Sequence, residues 1–402
     1  DKDTTQADLS TIFYLNVVIG IILFLGTYFI SDYVALFYEV SAISKILRLL
    51  SVTFIISSFG IVPNVILTKE IKFNKVVKVD VASGLFSGLA AVVMAYYNYG
   101  VYSLIVQRIL ASLLRTVFIF LASKWKPSSV FIFASVKKYI SFSSNILFIN
   151  IISKTLDELD TILIGKFYPA ASLGIFNRAK TLRKYPLQII GGGINKVMFP
   201  SLAKIQNDNV RLVKYYSSLI HVLSFIIIPI MLGLVVVSKP LILLLLTEKW
   251  IEVVPVFKIL CLVGFMITLG GINSNIFLSK GKSAFLLKFE TVKRIIFSAA
   301  IIFSLSYGIK GLATGLAIAT TVTFIANLYF PGRIIGFHFV EQIKIIVPYL
   351  IFALLSSLIA YSYINLISTW WLILQIMIPF LQICLIYIGL VNYFKLEALS
   401  LI

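Results

Sequence analysis

The chain has 402 residues, of which 60% are hydrophobic and only 13% are charged, and its formal net charge is +19. Soluble domains are usually about 45–50% apolar and about 25% charged, so this composition excludes an ordinary soluble protein. The two cysteines and two histidines are far apart in the sequence, which favours neither a disulfide framework nor a metal site, and we expect no cofactor.

Long apolar runs follow one another along the chain. The segments 11–30 and 370–391 each reach the roughly 20 residues that an α-helix needs to cross a bilayer. In chain order the sequence predicts twelve membrane-spanning helices: 11–37, 47–67, 77–97, 101–122, 140–165, 170–199, 213–237, 253–278, 284–306, 311–331, 343–364 and 370–392. The predicted fold class is therefore an all-α polytopic membrane protein. The connection 123–138 is basic and partly amphipathic, which is typical of a helix lying on the membrane face.

Positive charge in the connections predicts the orientation of the chain. If the N-terminal end is cytoplasmic, alternating spans place 18 Lys and Arg in inner connections and 6 in outer ones. This bias follows the positive-inside rule, and it places both chain ends in the cytoplasm. Cytoplasmic loops beside anionic lipid headgroups explain most of the net charge, so no nucleic-acid partner is needed.

Several cations lie inside the predicted spans, where topology does not explain them. A charge near the bilayer centre costs at least about 2.5–3.5 kcal/mol, so it faces a cavity, a partner or the interface. Lys180, Arg183 and Lys184 share one face of the span 170–199, and Arg178 points the other way. The predicted substrate-binding residues are Arg108, Arg115, Arg178, Lys180, Arg183 and Lys184. If the span begins nearer Tyr185, these side chains of 170–199 instead snorkel to the interface.

Three acidic residues, Asp157, Glu158 and Asp160, fall in the fifth predicted span, and Glu158 is spaced i, i+4 from Lys154, with which it can pair. Asp157 and Asp160 share a helical face without an obvious local cation. They either pair with arginines of the neighbouring helix or couple a proton or sodium ion to transport, and the residues leave both alternatives open.

A proline and a glycine triplet mark a predicted hinge in the sixth span, at Pro186, Gly191, Gly192 and Gly193. Proline removes one backbone hydrogen bond and clashes with the preceding turn, which bends a helix. A bendable helix that carries cations at mid-depth suits a transporter, and it also suits a static bundle that requires a kink.

Four stretches carry a family likeness: TTQADLSTIFYLNVVIG (4–20), LDELDTILIGKF (156–167), LGIFNRAKTLRKYPLQIIGGGINKVMFPSLAKIQND (173–208) and LLTEKWIEVVPVFKIL (245–260). With these, the chain resembles the polysaccharide-exporter branch of the multidrug/oligosaccharidyl-lipid/polysaccharide exporter superfamily, which contains the Wzx-type flippases. The third stretch is the most specific. Its spine of Ala179, Leu182, Pro186, Gly191, Pro200 and Leu202 is similar to the corresponding helix of lipid II flippases.

The resemblance implies a two-lobed bundle of fourteen helices, of which about twelve lie in this chain and the first two lie upstream. Residues 1–127 then form the first lobe, 128–336 the second lobe and 337–402 two additional helices. Members of the branch carry an undecaprenyl-diphosphate-linked oligosaccharide across the bacterial cytoplasmic membrane by alternating access. The implied partners are this lipid-linked substrate, the bilayer, and polysaccharide polymerase and chain-length machinery. One departure is Thr181, which stands where lipid II flippases have an important arginine.

Three other functions fit the sequence less well. A multidrug or small-molecule exporter is expected to use an acidic or aromatic pocket, and this chain instead has an excess of intramembrane cations. A membrane-bound polysaccharide polymerase or ligase needs catalytic groups on sizeable outer loops, but the longest outer connection, 238–252, is largely apolar. A structural scaffold needs no charge at mid-span. We therefore predict an exporter without enzymatic activity.

Overall fold

The computed structural model describes residues 5–133, 151, 154–205, 208–367 and 369–398, with only the backbone described over 192–204 and at positions 274, 283 and 284. These residues form helices and connections, and no strand occurs among them, which confirms the all-α prediction. The chain divides into two compact units, Asp1–Ser153 and Lys154–Ile402, called here the N-terminal unit and the C-terminal unit. The predicted lobe boundaries at 127 and 336 stay predictions.

The described part of the N-terminal unit contains four long helices. They are α1 (Gln6–Tyr38), α2 (Ala42–Lys69), α3 (Phe73–Tyr96) and α4 (Val101–Ser123). Helix α1 packs against α2, α2 against α4, and α4 against α3. Small residues allow the closest approach: a Cβ atom on Gly20 would lie 2.8 Å from the Cβ atom of Ser58, so α1 and α2 meet without side chains between them. Large apolar side chains such as Phe29, which is 67% exposed, face outward, as lipid contact requires.

The connection after α4 differs from its prediction. Residues 124–132 are irregular, and two of their backbone N–H groups bond to the N-terminal part of α1. Ser128 N donates to Ser10 Oγ at 2.9 Å, and Ile132 N donates to Thr11 Oγ1 at 3.0 Å. Because these donors already have hydroxyl partners, the helix predicted over 123–138 is wrong over residues 124–132; residues 134–138 lie outside the described part of the chain.

The C-terminal unit contains eleven helices among its described residues. They are α5 (Leu159–Phe167), α6 (Ala170–Lys204), α7 (Asn209–Val236), α8 (Ser238–Leu246), α9 (Val253–Leu262), α10 (Gly264–Gly271), α11 (Asn273–Ser279), α12 (Ser283–Ser304), α13 (Gly308–Ile335), α14 (Phe339–Tyr363) and α15 (Leu372–Tyr393). Helices α9, α10 and α11 follow one another with single-residue breaks, so together they form one apolar run long enough to cross a membrane.

Helix α7 forms the core of the C-terminal unit. Its buried apolar side chains recur every three or four residues, at Leu212, Tyr216, Ile220, Leu223, Ile227 and Met231. It packs against α9, α10, α14 and α15. A helix that is apolar around most of its circumference is buried on most sides, and α7 therefore holds the surrounding helices together.

Nine segments of the described chain are long and apolar enough to cross a membrane, which confirms a multi-pass membrane protein. One of them, Phe285–Ile335, contains both α12 and α13 and so covers two predicted spans. The predicted span 170–199 corresponds to α6. The described part of α6 is not among these nine segments. Part of the predicted span 140–165 lies outside the described residues. The count of twelve and the orientation stay predictions.

Candidate anion-binding site

Helix α6 carries four of the predicted site residues in its first half. Arg178 is exposed, and its guanidinium carbon lies 5.4 Å from the ring centroid of Trp250, a cation–π contact. Lys180 instead contacts carboxylates near the start of α5. The two cations therefore have different neighbours, in agreement with the helical spacing, which places them on different faces.

Lys180 is held by two carboxylates. Its Nζ atom lies 2.9 Å from each oxygen of Asp160 and 3.4 Å from Glu158 Oε2. The side chain of Asp160 is only 7% exposed, and its Oδ1 atom also accepts a hydrogen bond from Thr161 N at 2.7 Å. Because a nearly buried carboxylate needs a counter-charge, this ion pair fixes α5 against α6 and neutralises the charge of Lys180.

Asp157, on the helical turn 154–157, has a different cationic partner. Its Oδ1 atom lies 3.5 Å from Arg294 Nε of α12. All three acids of the predicted fifth span are thus within ion-pair distance of a cation: Glu158 and Asp160 with Lys180 of α6, and Asp157 with Arg294 of α12. A role for Asp157 or Asp160 in ion coupling stays a prediction.

Arg183 lies one turn beyond Lys180 and differs from it in having no carboxylate partner. None of the ion pairs among the described residues includes it. Its Nε atom is buried and makes no hydrogen bond within the described part of the chain. Its Cδ atom lies 3.8 Å from the point that a Cβ atom on Gly264 would occupy. A buried donor without an acceptor costs about 1–3 kcal/mol, and the Nε–H group of Arg183 can donate to a bound anion.

The rest of α6 is continuous through the predicted hinge. Lys184 is exposed, and the helix runs from Ala170 to Lys204 across Pro186 and Gly191. The backbone is helical at Gly192 and Gly193 as well. Bending at these positions stays a prediction.

The N-terminal unit has its own cationic cavity, with a volume of about 580 Å³. Arg108 and Arg115 of α4 both line it, together with residues of α2 and α3. Arg115 Nε donates to Asp80 Oδ1 at 2.7 Å, and its Nη2 atom donates to Asn64 Oδ1 at 3.3 Å. Arg108 is exposed to the cavity and belongs to no ion pair found in the described residues.

The cavity lies at mid-depth of its helices. Arg108 and Arg115 are each about 10–12 Å of helix from the nearer end of α4. Hydroxyl contacts hold the walls together: the Oγ atoms of Ser57 and Ser112 lie 2.8 Å apart, and Thr116 Oγ1 donates to Ile56 O at 3.1 Å. A cationic cavity this far from the helix ends can hold an anion that hydrocarbon would exclude.

Three residues of these sites were not predicted from the sequence. Gly264 gives Arg183 room, Asn64 is the second acceptor for Arg115, and Trp250 contacts Arg178. The small residues Cys261 and Gly264, spaced i and i+3, are a weak signal of close packing on one face of a helical segment. Nothing in the spacing indicates Asn64 or Trp250, because both contacts join separate elements.

Comparisons with known proteins decide the family. The sequence profile of the family described as polysaccharide biosynthesis protein matches residues 1–255. The chain belongs to this polysaccharide biosynthesis family. The match confirms the resemblance to the polysaccharide-exporter branch that the four sequence stretches carry.

Named relatives of this polysaccharide biosynthesis protein cover most of its length. The teichuronic acid biosynthesis protein TuaB of Bacillus subtilis is 25% identical over 355 residues, which are 87% of this chain and 74% of TuaB. The lipopolysaccharide biosynthesis protein WzxC of Escherichia coli is 27% identical over 384 residues, 95% of this chain and 74% of WzxC. The succinoglycan biosynthesis transport protein ExoT of Rhizobium meliloti is 22% identical over 252 residues, 63% of this chain and 51% of ExoT.

Among solved structures, the chain is similar to the lipid II flippase MurJ in an inward closed conformation. The TM-score is 0.76, and the likeness covers 97% of this chain and 84% of MurJ at 19% sequence identity. At this identity the likeness establishes the fold, and the residues of the site are interpreted from their own contacts.

Proposed function

We propose that this chain is a flippase that moves an undecaprenyl-diphosphate-linked oligosaccharide repeat unit across the bacterial cytoplasmic membrane by alternating access. Family membership and the relatives named for teichuronic acid, lipopolysaccharide and succinoglycan biosynthesis support a glycan substrate. The observation that carries the role is Arg183, whose Nε atom is buried within the helices and has no partner among the described residues.

The cations lower the main free-energy cost of moving a lipid diphosphate across the membrane. A diphosphate loses its hydration when it leaves water, and fixed positive charge in the membrane offsets that loss. Arginine forms paired hydrogen bonds with phosphate oxygens, whereas lysine acts as a point charge. Arg183 and Lys184 in the C-terminal unit, and Arg108 in the N-terminal unit, belong to no ion pair found in the described chain and are available to bind the substrate. Lys180 and Arg115 are already paired with acids, and we assign them positioning roles.

The ion pairs of the acidic residues favour a flippase over a multidrug exporter and over a polysaccharide polymerase or ligase. Asp80, Asp157 and Asp160 are each paired with Arg or Lys. Carboxylates that are neutralised in this way are poorly suited to bind a cationic drug, which would need them free. They are equally poorly suited to act as the paired acid and base of a glycosyl-transferring enzyme. We therefore propose a transporter without enzymatic activity, with both chain ends cytoplasmic and a polysaccharide polymerase as the protein that receives its cargo.

A double substitution tests the proposed role. Arg183→Gln with Lys184→Gln removes two positive charges from α6, and surface polysaccharide should fall to background in cells that make the variant at the normal level. The matched control is Lys282→Gln with Lys288→Gln, which removes two exposed positive charges at the start of α12 and just before it. The control should export normally. Normal export by the α6 variant, or equal loss in both, would refute the assignment.

A further inference from the structure

A second cationic pocket lies in the C-terminal unit, and none of its lining residues comes from α5 or α6. Lys239, in the first turn of α8, and Lys258, in the second turn of α9, line one partly enclosed cavity of about 190 Å³. Tyr361, Asn365 and Gln375 supply the other polar or aromatic groups of its wall. The transport site described above does not use either lysine.

The topology places this pocket at one end of the C-terminal unit. Helix α7 ends at Val236 and α14 ends at Tyr363, whereas α9 begins at Val253 and α15 begins at Leu372. Residues from all four of these helix ends, and from α8, line the pocket. Trp370 and Trp371, which immediately precede Leu372, are 50% and 81% exposed. Tryptophan is enriched where membrane meets water, so the pocket lies at the depth of the lipid headgroups.

The charge in the pocket is not balanced by the described residues around it. No acidic side chain is among its lining residues, and neither lysine belongs to an ion pair found in the described part of the chain. Lys258 is half-buried, with its Nζ atom 5.6 Å from the ring centroid of Tyr361. Two ammonium groups that share a partly enclosed space repel one another, and a bound anion would relieve this repulsion.

The size and the walls of the pocket indicate which anion fits. A volume of about 190 Å³ holds roughly six water molecules at about 30 Å³ each, which is enough for a phosphate group but not for an oligosaccharide. The first turns of α8 and α15 contribute to the wall, and helix N-termini favour negative charge. Apolar side chains such as Leu243 and Ile364 complete it and suit the carbon atoms beside a phosphate ester.

We propose that Lys239 and Lys258 form a phosphate-binding pocket, distinct from the transport site, that takes a phosphate group either from an anionic phospholipid or from solution. Both sources share the same chemistry, a phosphate oxygen between two ammonium groups. The inference does not depend on the flippase role, because no residue of the pocket is assigned to the translocated substrate.

Lipid retention tests the pocket directly. The full chain, exchanged into vesicles of equal phosphatidylglycerol and phosphatidylcholine and then released in detergent, is weighed by native mass spectrometry. The unsubstituted protein should retain phosphatidylglycerol over phosphatidylcholine by about tenfold or more, because both lipids carry the phosphate but the two lysines repel the choline ammonium of phosphatidylcholine. Lys239→Gln with Lys258→Gln should abolish that preference. Lys249→Gln, an exposed lysine between α8 and α9 that does not line the pocket, should leave it unchanged.

Two further arms identify the source of the phosphate and guard against misfolding. If millimolar inorganic phosphate displaces the retained lipid, the pocket also accepts free phosphate; if it does not, the site is specific for the lipid. Lys258→Arg keeps the charge and should keep the preference, which shows that a loss in the glutamine variant is electrostatic. An unchanged preference in the double glutamine variant, or no preference in the unsubstituted protein together with no binding of phosphate, overturns the proposal.

Discussion

The Nζ atom of Lys180 lies 2.9 Å from both carboxylate oxygens of Asp160, a residue 20 positions earlier in the chain. The lysine side chain is 26% exposed and the aspartate side chain 7%. An ion pair this close and this well buried is costly to break from one side, because the remaining charge has no partner.

Removing both partners of the pair should cost less stability than the sum of the two single removals. Asp160→Asn or Lys180→Met alone is expected to lower the free energy of unfolding by about 3–5 kcal/mol, and the double variant by less than the sum. Thermal unfolding in detergent of the four proteins gives the coupling free energy, for which we expect about 1–3 kcal/mol. Lys184→Met is the control on the same helix, since Lys184 is exposed. Strictly additive effects would show that the pair is not coupled.

Arg108 and Arg115 line one cavity but should have different roles. We test Arg108 by its own substitution and Arg115 by substitution of its ion-pair partner, Asp80. Arg108→Gln is expected to reduce transport about tenfold or more, the loss of a charge-assisted hydrogen bond, while unfolding stays unchanged because no described acid depends on it. Asp80→Asn removes the ion-pair partner of Arg115, and since these side chains are 49% and 40% exposed, it should cost about 0–1 kcal/mol of stability.

Transport and unfolding measured on the same preparations separate these two cases. If Arg108→Gln lowers the melting temperature as much as it lowers transport, its role is structural. If Asp80→Asn leaves transport unchanged, the ion pair that orients the Arg115 guanidinium has no part in the mechanism.

The sequence predicts which helices carry the cations but not which of these cations are paired with an acid. Helical spacing correctly separates Arg178 from Lys180, and long apolar runs correctly indicate a multi-pass membrane protein. The carboxylate of Asp80 lies 35 residues from Arg115, and the contact forms only because α3 packs against α4. Periodicity within one helix carries no information about such a partner, so the paired and the unpaired arginines look alike in the sequence.

The prediction of a surface helix after α4 is wrong for a related reason. Its basic and apolar residues are typical of a surface helix, yet two of its backbone N–H groups bond to Ser10 and Thr11 of α1. Local amphipathicity cannot anticipate acceptors that lie more than a hundred residues away, and hydroxyl groups compete well with helical carbonyls for such donors.

Gly264 should be essential for the packing of Met231 against α10. A Cβ atom there would lie 2.6 Å from Met231 Sδ and 3.8 Å from Arg183 Cδ. Gly264→Ala therefore forces Met231 to move and should cost about 1–3 kcal/mol by overpacking. Adding Met231→Ala removes the obstructing sulfur, so the double variant should be no less stable than Met231→Ala alone. A double variant that is less stable than Met231→Ala would place the conflict elsewhere, and thermal unfolding of the three variants decides it.

Ala398, at the end of the described part of the chain, is held by a buried tyrosine. Tyr349 Oη accepts a hydrogen bond from Ala398 N at 3.3 Å and forms a second hydrogen bond, 2.8 Å long, with His221 Nδ1. Tyr349→Phe leaves both partners without this bond and should cost about 1–3 kcal/mol. We expect faster hydrogen exchange of the amide of Ala398, measured by mass spectrometry, because that amide loses its acceptor.

Tyr387 provides a control with the same chemical change in the same core. Its hydroxyl is buried and has no hydrogen-bond partner among the described residues. Removing a hydroxyl that already makes no bond leaves no new unsatisfied group, so Tyr387→Phe should be neutral or slightly stabilising. Exchange at Ala398 should stay as in the unsubstituted protein. If both substitutions destabilise equally, shape rather than hydrogen bonding governs this core, and the role given to Tyr349 in holding Ala398 is wrong.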